Sequence, residues 1–359
     1  MNFLRLISVL AGLAIAATTA NAQISLTPGG AQAPASAPAK NKKETPKQAP
    51  KATTAAKKPA ATPKSTPTPT PSPTANFDDP NVDLVYGAYQ RGLYKTAFDL
   101  ATTRAMFTND PKAMTMLGEL YANAMGVRRD YAKAAEWYQR AADAGDREGM
   151  FALAMMKLSG RGAKADREQA VRLLASSAKL GEPKAAYNLA LLYIDGQTLP
   201  QDLRRSAELL RLAADAGNPE AQYALATFYK EGTGVPKDID KAVRLLQAAS
   251  LADNVDAEVE YAIAMFNGTG TPQNQSAAVA LLRKAARQNS PIAQNRLARV
   301  LVNGQGAPVD KVEGLKWHIV AKTAGKGDPE LDEALAGLSA EDRAKAQDAA
   351  RRWIGNTNK

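Results

Sequence analysis

Positions 134, 170, 206, 242, 278 and 314 each open a segment that superimposes on the next at a spacing of 36 residues, without a gap. One column of this register reads Trp137, Leu173, Leu209, Leu245, Leu281, Trp317. Another reads Ala154, Ala190, Ala226, Ala262, Ala298, Ala334, with Gly118 one period earlier. A third holds Asn109, Gly145, Gly181, Gly217, Asp253, Asn289 and Gly325. A fixed period of this size requires stacked copies of one supersecondary unit, each burying its apolar face on its neighbours, rather than one globular core. Such arrays usually bind partners and rarely do chemistry.

Each period reads as two helices. In residues 218–253, Asn218 is placed to cap a helix and Pro219 sits in its first turn, where a missing N–H costs nothing. The equivalent caps are Asp110, Asp146, Glu182, Asn254 and Ser290. Ala221, Leu225, Ala226 and Tyr229 then fall at helical spacing along helix A, which Gly232 and Gly234 terminate. Helix B opens on the column Asp130, Asp166, Asp202, Asp238, Asn274, Asp310, all good N-cap residues. It carries Ala242, Leu245, Leu246 and Ala249 on one face and closes at the third column above. That column holds only Gly, Asn and Asp, the residues that best tolerate the left-handed conformation. Ala221 and Ala226 allow the two helices to approach closely, with larger residues filling between them. Strand signals are absent, so the expected fold is all-α.

The runs Ala221-Gln222-Tyr223-Ala224-Leu225-Ala226, Tyr229, Gly232-Thr233-Gly234-Val235, Ala242, Leu245-Leu246 and Ala248-Ala249 resemble the Sel1-like repeat family, a relative of the tetratricopeptide repeat. Leu117-Gly118, Tyr121, Gly126-Val127, Ala134, Trp137-Tyr138 and Ala141-Ala142 carry the same match. The resemblance covers about residues 84–325 and implies a right-handed α/α superhelical solenoid of about six repeats. Departures are Glu260 for Ala, Met265 for an aromatic, Asp253 for Gly, and Lys157 for an aromatic. The ends are atypical. Residues 82–108 read as an incomplete repeat, and after Gly325 the register slips by two because Asp328-Pro329 stands where 326–327 is expected. Ser339 with Asp342 resembles a capping box opening a last helix to about Trp353. The expected layout is a signal peptide (1–22), a disordered linker (23–76), an N-terminal partial repeat (77–109), six repeats (110–325) and C-terminal capping helices (326–359).

The signal peptide rests on Arg5, the apolar run Leu6 to Ala17, and the small-x-small site Ala20-Asn21-Ala22. Cleavage there leaves Gln23 first; a retained anchor is the alternative. Residues 23–76 are Pro-, Ala-, Thr- and Lys-rich, with little that could enter a core. Eight lysines against Glu44 give this tail +7, and Arg5 adds one more of the total +10, which leaves +2 for residues 77–359. The basic balance thus belongs to the tail, either a soluble spacer or a weak contact with an anionic envelope surface. Export argues against nucleic acid as a partner. The absence of cysteine excludes disulfides and a lipoprotein anchor.

One histidine and no cysteine cannot assemble a His-based triad or a Cys/His metal site. His318 shares a column with Tyr138, Leu174, Leu210, Leu246 and Leu282, which marks it as a packing residue. The Gly-x-Gly pairs at 160, 232, 268 and 304 follow helices and lack a Lys-Ser/Thr sequel, so they read as turns. The expectation is therefore no enzyme, no cofactor and no metal.

What remains is a surface. Two helix A columns four residues apart share a face: Thr115/Glu119, Phe151/Met155, Tyr187/Leu191, Tyr223/Thr227, Val259/Ile263 and Asn295/Arg299. The resemblance implies that helix A lines the concave groove where partners lie. The middle four pairs either form an apolar, partly aromatic stripe that receives a partner helix or peptide, or pack adjacent A helices together. The resemblance also implies the leading function: an exported periplasmic, or secreted, scaffold or regulator that binds another envelope protein. Some secreted Sel1-like regulators hold a membrane sensor kinase inactive through its periplasmic domain. The alternatives are an envelope architecture protein, organising wall machinery through its basic tail and repeats, and a secreted effector or adhesin.

Overall fold

The computed structural model describes residues 83–162 and 164–357. The expected signal peptide, the linker and residues 77–82 lie outside them. Among the described residues there are sixteen α-helices and no strand. An N-terminal pair, α1 (Leu84–Gln90) and α2 (Tyr94–Phe107), precedes six repeats. Their A helices are α3 (Pro111–Asn123), α5 (Arg147–Ser159), α7 (Pro183–Asp195), α9 (Pro219–Glu231), α11 (Val255–Asn267) and α13 (Pro291–Asn303). Their B helices are α4 (Tyr131–Asp143), α6 (Arg167–Lys179), α8 (Leu203–Asp215), α10 (Ile239–Leu251), α12 (Gln275–Arg287) and α14 (Lys311–Thr323). The array ends with α15 (Pro329–Ala336) and α16 (Ala340–Thr357). Each A helix packs on its own B helix, and each B helix on the next A helix, which makes an α/α solenoid.

The capping chemistry accounts for every boundary inside the array. All twelve repeat helices start at the cap residue read from the sequence, whose side chain accepts a backbone N–H of the first turn. The column closing the B helices is left-handed at all seven members, from φ 53° at Asn109 to 86° at Gly145. The backbone then folds over the helix end: Asp146 N donates to Ala141 O at 2.9 Å and Asn218 N to Ala213 O at 3.0 Å, the long-range bond of a Schellman turn.

Small residues set the helix spacing. Ala154, Ala190, Ala226, Ala262 and Ala298 are all buried where an A helix meets its B helix. Gly118 takes this place in the first repeat because its facing residue is Tyr138 where four of the other repeats have leucine; a Cβ at Gly118 would lie 2.5 Å from the ring. Some polar groups inside the stack are matched locally, although Gln222 Oε1 and His318 Nδ1 are buried without a hydrogen-bond partner. Gln222 and Gln294 donate to the carbonyls of Ala214 (3.2 Å) and Ala286 (3.1 Å). Glu258, in the same column, has no N–H to give; fully buried, it pairs instead with Lys284, which also holds Asp253 at 2.6 Å.

The C-terminal joint is built differently. The two-residue slip puts Asp328, not residue 326, at the N-cap of α15. Buried there, Asp328 also takes Arg299 Nε at 2.5 Å and Asn295 Nδ2 at 3.3 Å. His318 is fully buried and its Nε2 lies 2.8 Å from Asp332 Oδ1, which Lys322 also holds at 2.8 Å. The packing role expected of His318 is therefore joined to a polar one. Ser339 Oγ accepts from Asp342 N at 3.1 Å to open α16. That helix runs to Thr357, four residues past the expected end at Trp353, because Gly355 stays out of the left-handed region and gives no stop signal. Trp353 packs edge-on against Trp317 at 5.0 Å.

Candidate functional site

The two helix A columns share one face of the A helices, with unequal exposure. Leu191, Thr227 and Val259 are buried, at 6%, 7% and 4% exposure, so they pack A helices and are closed to a partner. Phe151, Met155, Tyr187, Tyr223 and Ile263 are half-buried. Phe151 and Tyr187 rest on the core cluster that contains Leu191, and Tyr223 on the next cluster along, with Ala226 and Leu246. Their bodies thus belong to the stack while one edge of each faces outward.

Between the early repeats this face opens into a cleft of about 490 Å³. Thr115 and Glu119 of α3, Glu148, Phe151 and Ala152 of α5, Glu182 to Lys184 at the start of α7, and the turn 216–218 line it. Tyr138 reaches in from α4 through the gap left by Gly118 and donates its hydroxyl to Glu119 at 3.0 Å. Burial and that carboxylate hold the Tyr138 hydroxyl protonated far above its usual range.

Stacking brings charge near these columns. Thr115 of α3 reaches Asp146, the cap of the next A helix, at 2.7 Å, and across the slipped last joint Asn295 reaches Asp328, the cap of α15, at 3.3 Å. Tyr187 likewise feels Glu220, and burial with that charge pushes its hydroxyl up to about 12. Tyr223 is raised further, by burial and then by Glu260, Asp256 and Glu231. Two of those acids are themselves pushed up: Glu231 by desolvation, against an opposing pull from Lys230 and with a smaller push from Glu260, and Asp256 by desolvation and then Glu260. Asp256 keeps an exposed edge, although neighbouring protein removes enough water from its carboxyl for desolvation to be the larger cause. Lys230 pairs with Glu260 at 3.1 Å and also offsets part of the rise at Glu231, and Arg296 lies within the field of Glu260.

Sequence reasoning found the rings but not these carboxylates. Glu220 and Asp256 stand at the second helical position of their repeats, a column that also holds Lys112, Glu148 and Lys184, so only stacking decides which charge comes near which ring. No group of three or more His, Cys, Asp or Glu among the described residues is placed to hold a metal ion, and no helix among them is long and apolar enough to cross a membrane.

Comparison with known proteins identifies the repeat. The Sel1 repeat matches six consecutive stretches: 111–146, 147–182, 183–218, 219–254, 255–290 and 291–326. The structure is similar to a Sel1 repeat protein from Oxalobacter formigenes, 26% identical with a TM-score of 0.59, over 67% of this chain and 98% of that one. It is also similar in fold to c5321, a protective antigen of uropathogenic Escherichia coli, at 24% identity and a TM-score of 0.53, over 73% of this chain and 64% of the antigen. A search of curated proteins finds no match.

Proposed function

The chain belongs to the Sel1 repeat family, and on that footing we propose that it is an exported adaptor whose inner wall holds a segment of another envelope protein. Proteins of this family are generally protein–protein interaction scaffolds and generally non-catalytic. The finer reading is a regulator of a membrane-protein ectodomain, a sensor kinase being the leading kind. The observation that carries the binding surface is the row of half-buried Phe151, Met155, Tyr187, Tyr223 and Ile263, running along successive A helices from the cleft. Rings held by the core on one side and open on the other lose little freedom when a partner covers them, which favours them as anchors. The leader-like residues 1–22 support export to the periplasm.

The test is photocrosslinking in living cells, with a photoreactive residue at Tyr187 or Tyr223. Capture of a discrete membrane-protein ectodomain is the expected result. Wall enzymes in its place would move the assignment to an architectural protein. No adduct from a protein that melts like the wild type would remove this wall as the binding surface.

A further inference from the structure

One joint in the array is emptier than the rest. Where a B helix is followed by the next A helix, two columns supply the packing: Val171 with Tyr193, Ala207 with Tyr229, Val243 with Met265 and Val279 with Leu301. Val171, Tyr193, Ala207 and Tyr229 all pack in one core cluster. At the first joint Tyr121 meets Phe98 of α2 edge-on at 5.5 Å. Between α4 and α5 the same two places hold Ala135 and Lys157, so this joint lacks both the branched side chain and the ring. An open cavity of about 490 Å³ stands there, lined by Ala135, Leu153 and Lys157 together with Glu136 and Arg140. Lys157 is two residues on from Met155, about 200° round α5, so the cavity opens away from the face that carries Phe151 and Met155.

We propose that this cavity takes one aromatic side chain, a tyrosine or phenylalanine, from a partner protein, at a contact separate from the inner wall. Three other A helices put a tyrosine of their own at this place, Tyr121, Tyr193 and Tyr229, so the joint is spaced for a ring. Buried Leu153 and the small Ala135 give an incoming ring an apolar seat. The surrounding charge also suits a ring. Elsewhere in the array lysines lie over these tyrosines, Lys133 over Tyr121 at 5.5 Å and Lys241 over Tyr229 at 5.4 Å. In the cavity Arg140, which already lies over Trp137 at 4.8 Å, and Lys157 supply the cations. An aliphatic side chain gains the burial without the cation–π contact, so the site prefers a ring.

The experiment uses the full chain and two soluble peptides, acetyl-Gly-Tyr-Gly-amide and acetyl-Gly-Leu-Gly-amide, read by saturation-transfer NMR. Saturation is expected to reach the tyrosine ring protons and to be about threefold weaker at the leucine methyls. Lys157→Tyr supplies the missing ring from within. It is expected to raise the melting temperature by about 3 °C and to reduce the tyrosine signal to that of leucine. Ala135→Val fills the same space more mildly, is expected to move both readouts in the same directions, and does not depend on how Lys157→Tyr folds. No saturation of the tyrosine peptide, equal saturation of the leucine peptide, or filled variants that still bind the tyrosine peptide like wild type overturns the proposal. A lower melting temperature in both variants overturns it too, because the joint then has no ring-sized space. Crosslinking at Tyr187 and Tyr223 is untouched by any of these outcomes, so the two surfaces fail separately.

Discussion

The same chemical group behaves in opposite ways at two places in this molecule. At the C-terminal joint, carboxylates are matched: Asp328 by Arg299, Asn295 and two backbone N–H groups, Asp332 by Lys322 and His318. On the helix A face near Tyr223, burial raises Asp256 and Glu231 while Glu260 pairs with Lys230 and lies in the field of Arg296. The joint lowers the carboxyl of Asp332, through its hydrogen bonds to Lys322 and then His318. The helix A face raises that of Asp256. A carboxylate that is matched serves the fold, whereas one whose charge is disfavoured by burial is a liability to it.

Three substitutions can break or sharpen this contrast. Asp328→Ala removes the α15 cap and leaves Arg299 without its buried partner, so a loss of about 3 kcal/mol is expected in a urea melt. A change below about 1 kcal/mol would show that the joint is held by its tryptophans instead. The second, Asp332→Asn, tests the sign of the matched carboxylate. Its depressed native value means that its stabilisation is complete above the ordinary value near 3.9 and is lost as pH falls through the native one. The variant is therefore expected to melt lower than wild type at pH 7, with the gap closing in acid. The third and smallest effect is Asp256→Asn, with the reverse sign. A raised native value makes the ionised group unfavourable above that value, and the penalty fades as pH falls through it toward the ordinary one. The variant is expected to melt higher at neutral pH and to converge with wild type in acid. If both variants shift the same way, the contrast between the joint and the helix A face is wrong.

The legible and illegible parts of this protein separate by range. Asp238 as a cap and Gly217 as a left-handed stop act within a few residues, so their columns placed twelve helices correctly. Gly118 opposite Tyr138 was legible only as a departure from alanine, since the ring that requires it lies twenty residues away on the next helix. The end of α16 was set short because a tryptophan and an isoleucine fill its apolar face there and no signal marks where a frayed terminus stops. The two helix A columns were the least decided. Periodicity puts Tyr187 and Leu191 on one face equally, and the structure then buries Leu191 and leaves Tyr187 half open.

By itself the sequence determined the repeat, its two helices, their caps and turns, and the family, because each is written in local backbone preference and repeated in register. Tertiary structure alone decided which residues of the helix A face stay open, that Tyr138 reaches Glu119, and that His318 meets Asp332 across the last joint. Those outcomes depend on which residues stacking brings together across neighbouring repeats, and on a two-residue slip at the end. Burial and electrostatic environment are properties of neighbours brought together by stacking, and no single period contains its own neighbour.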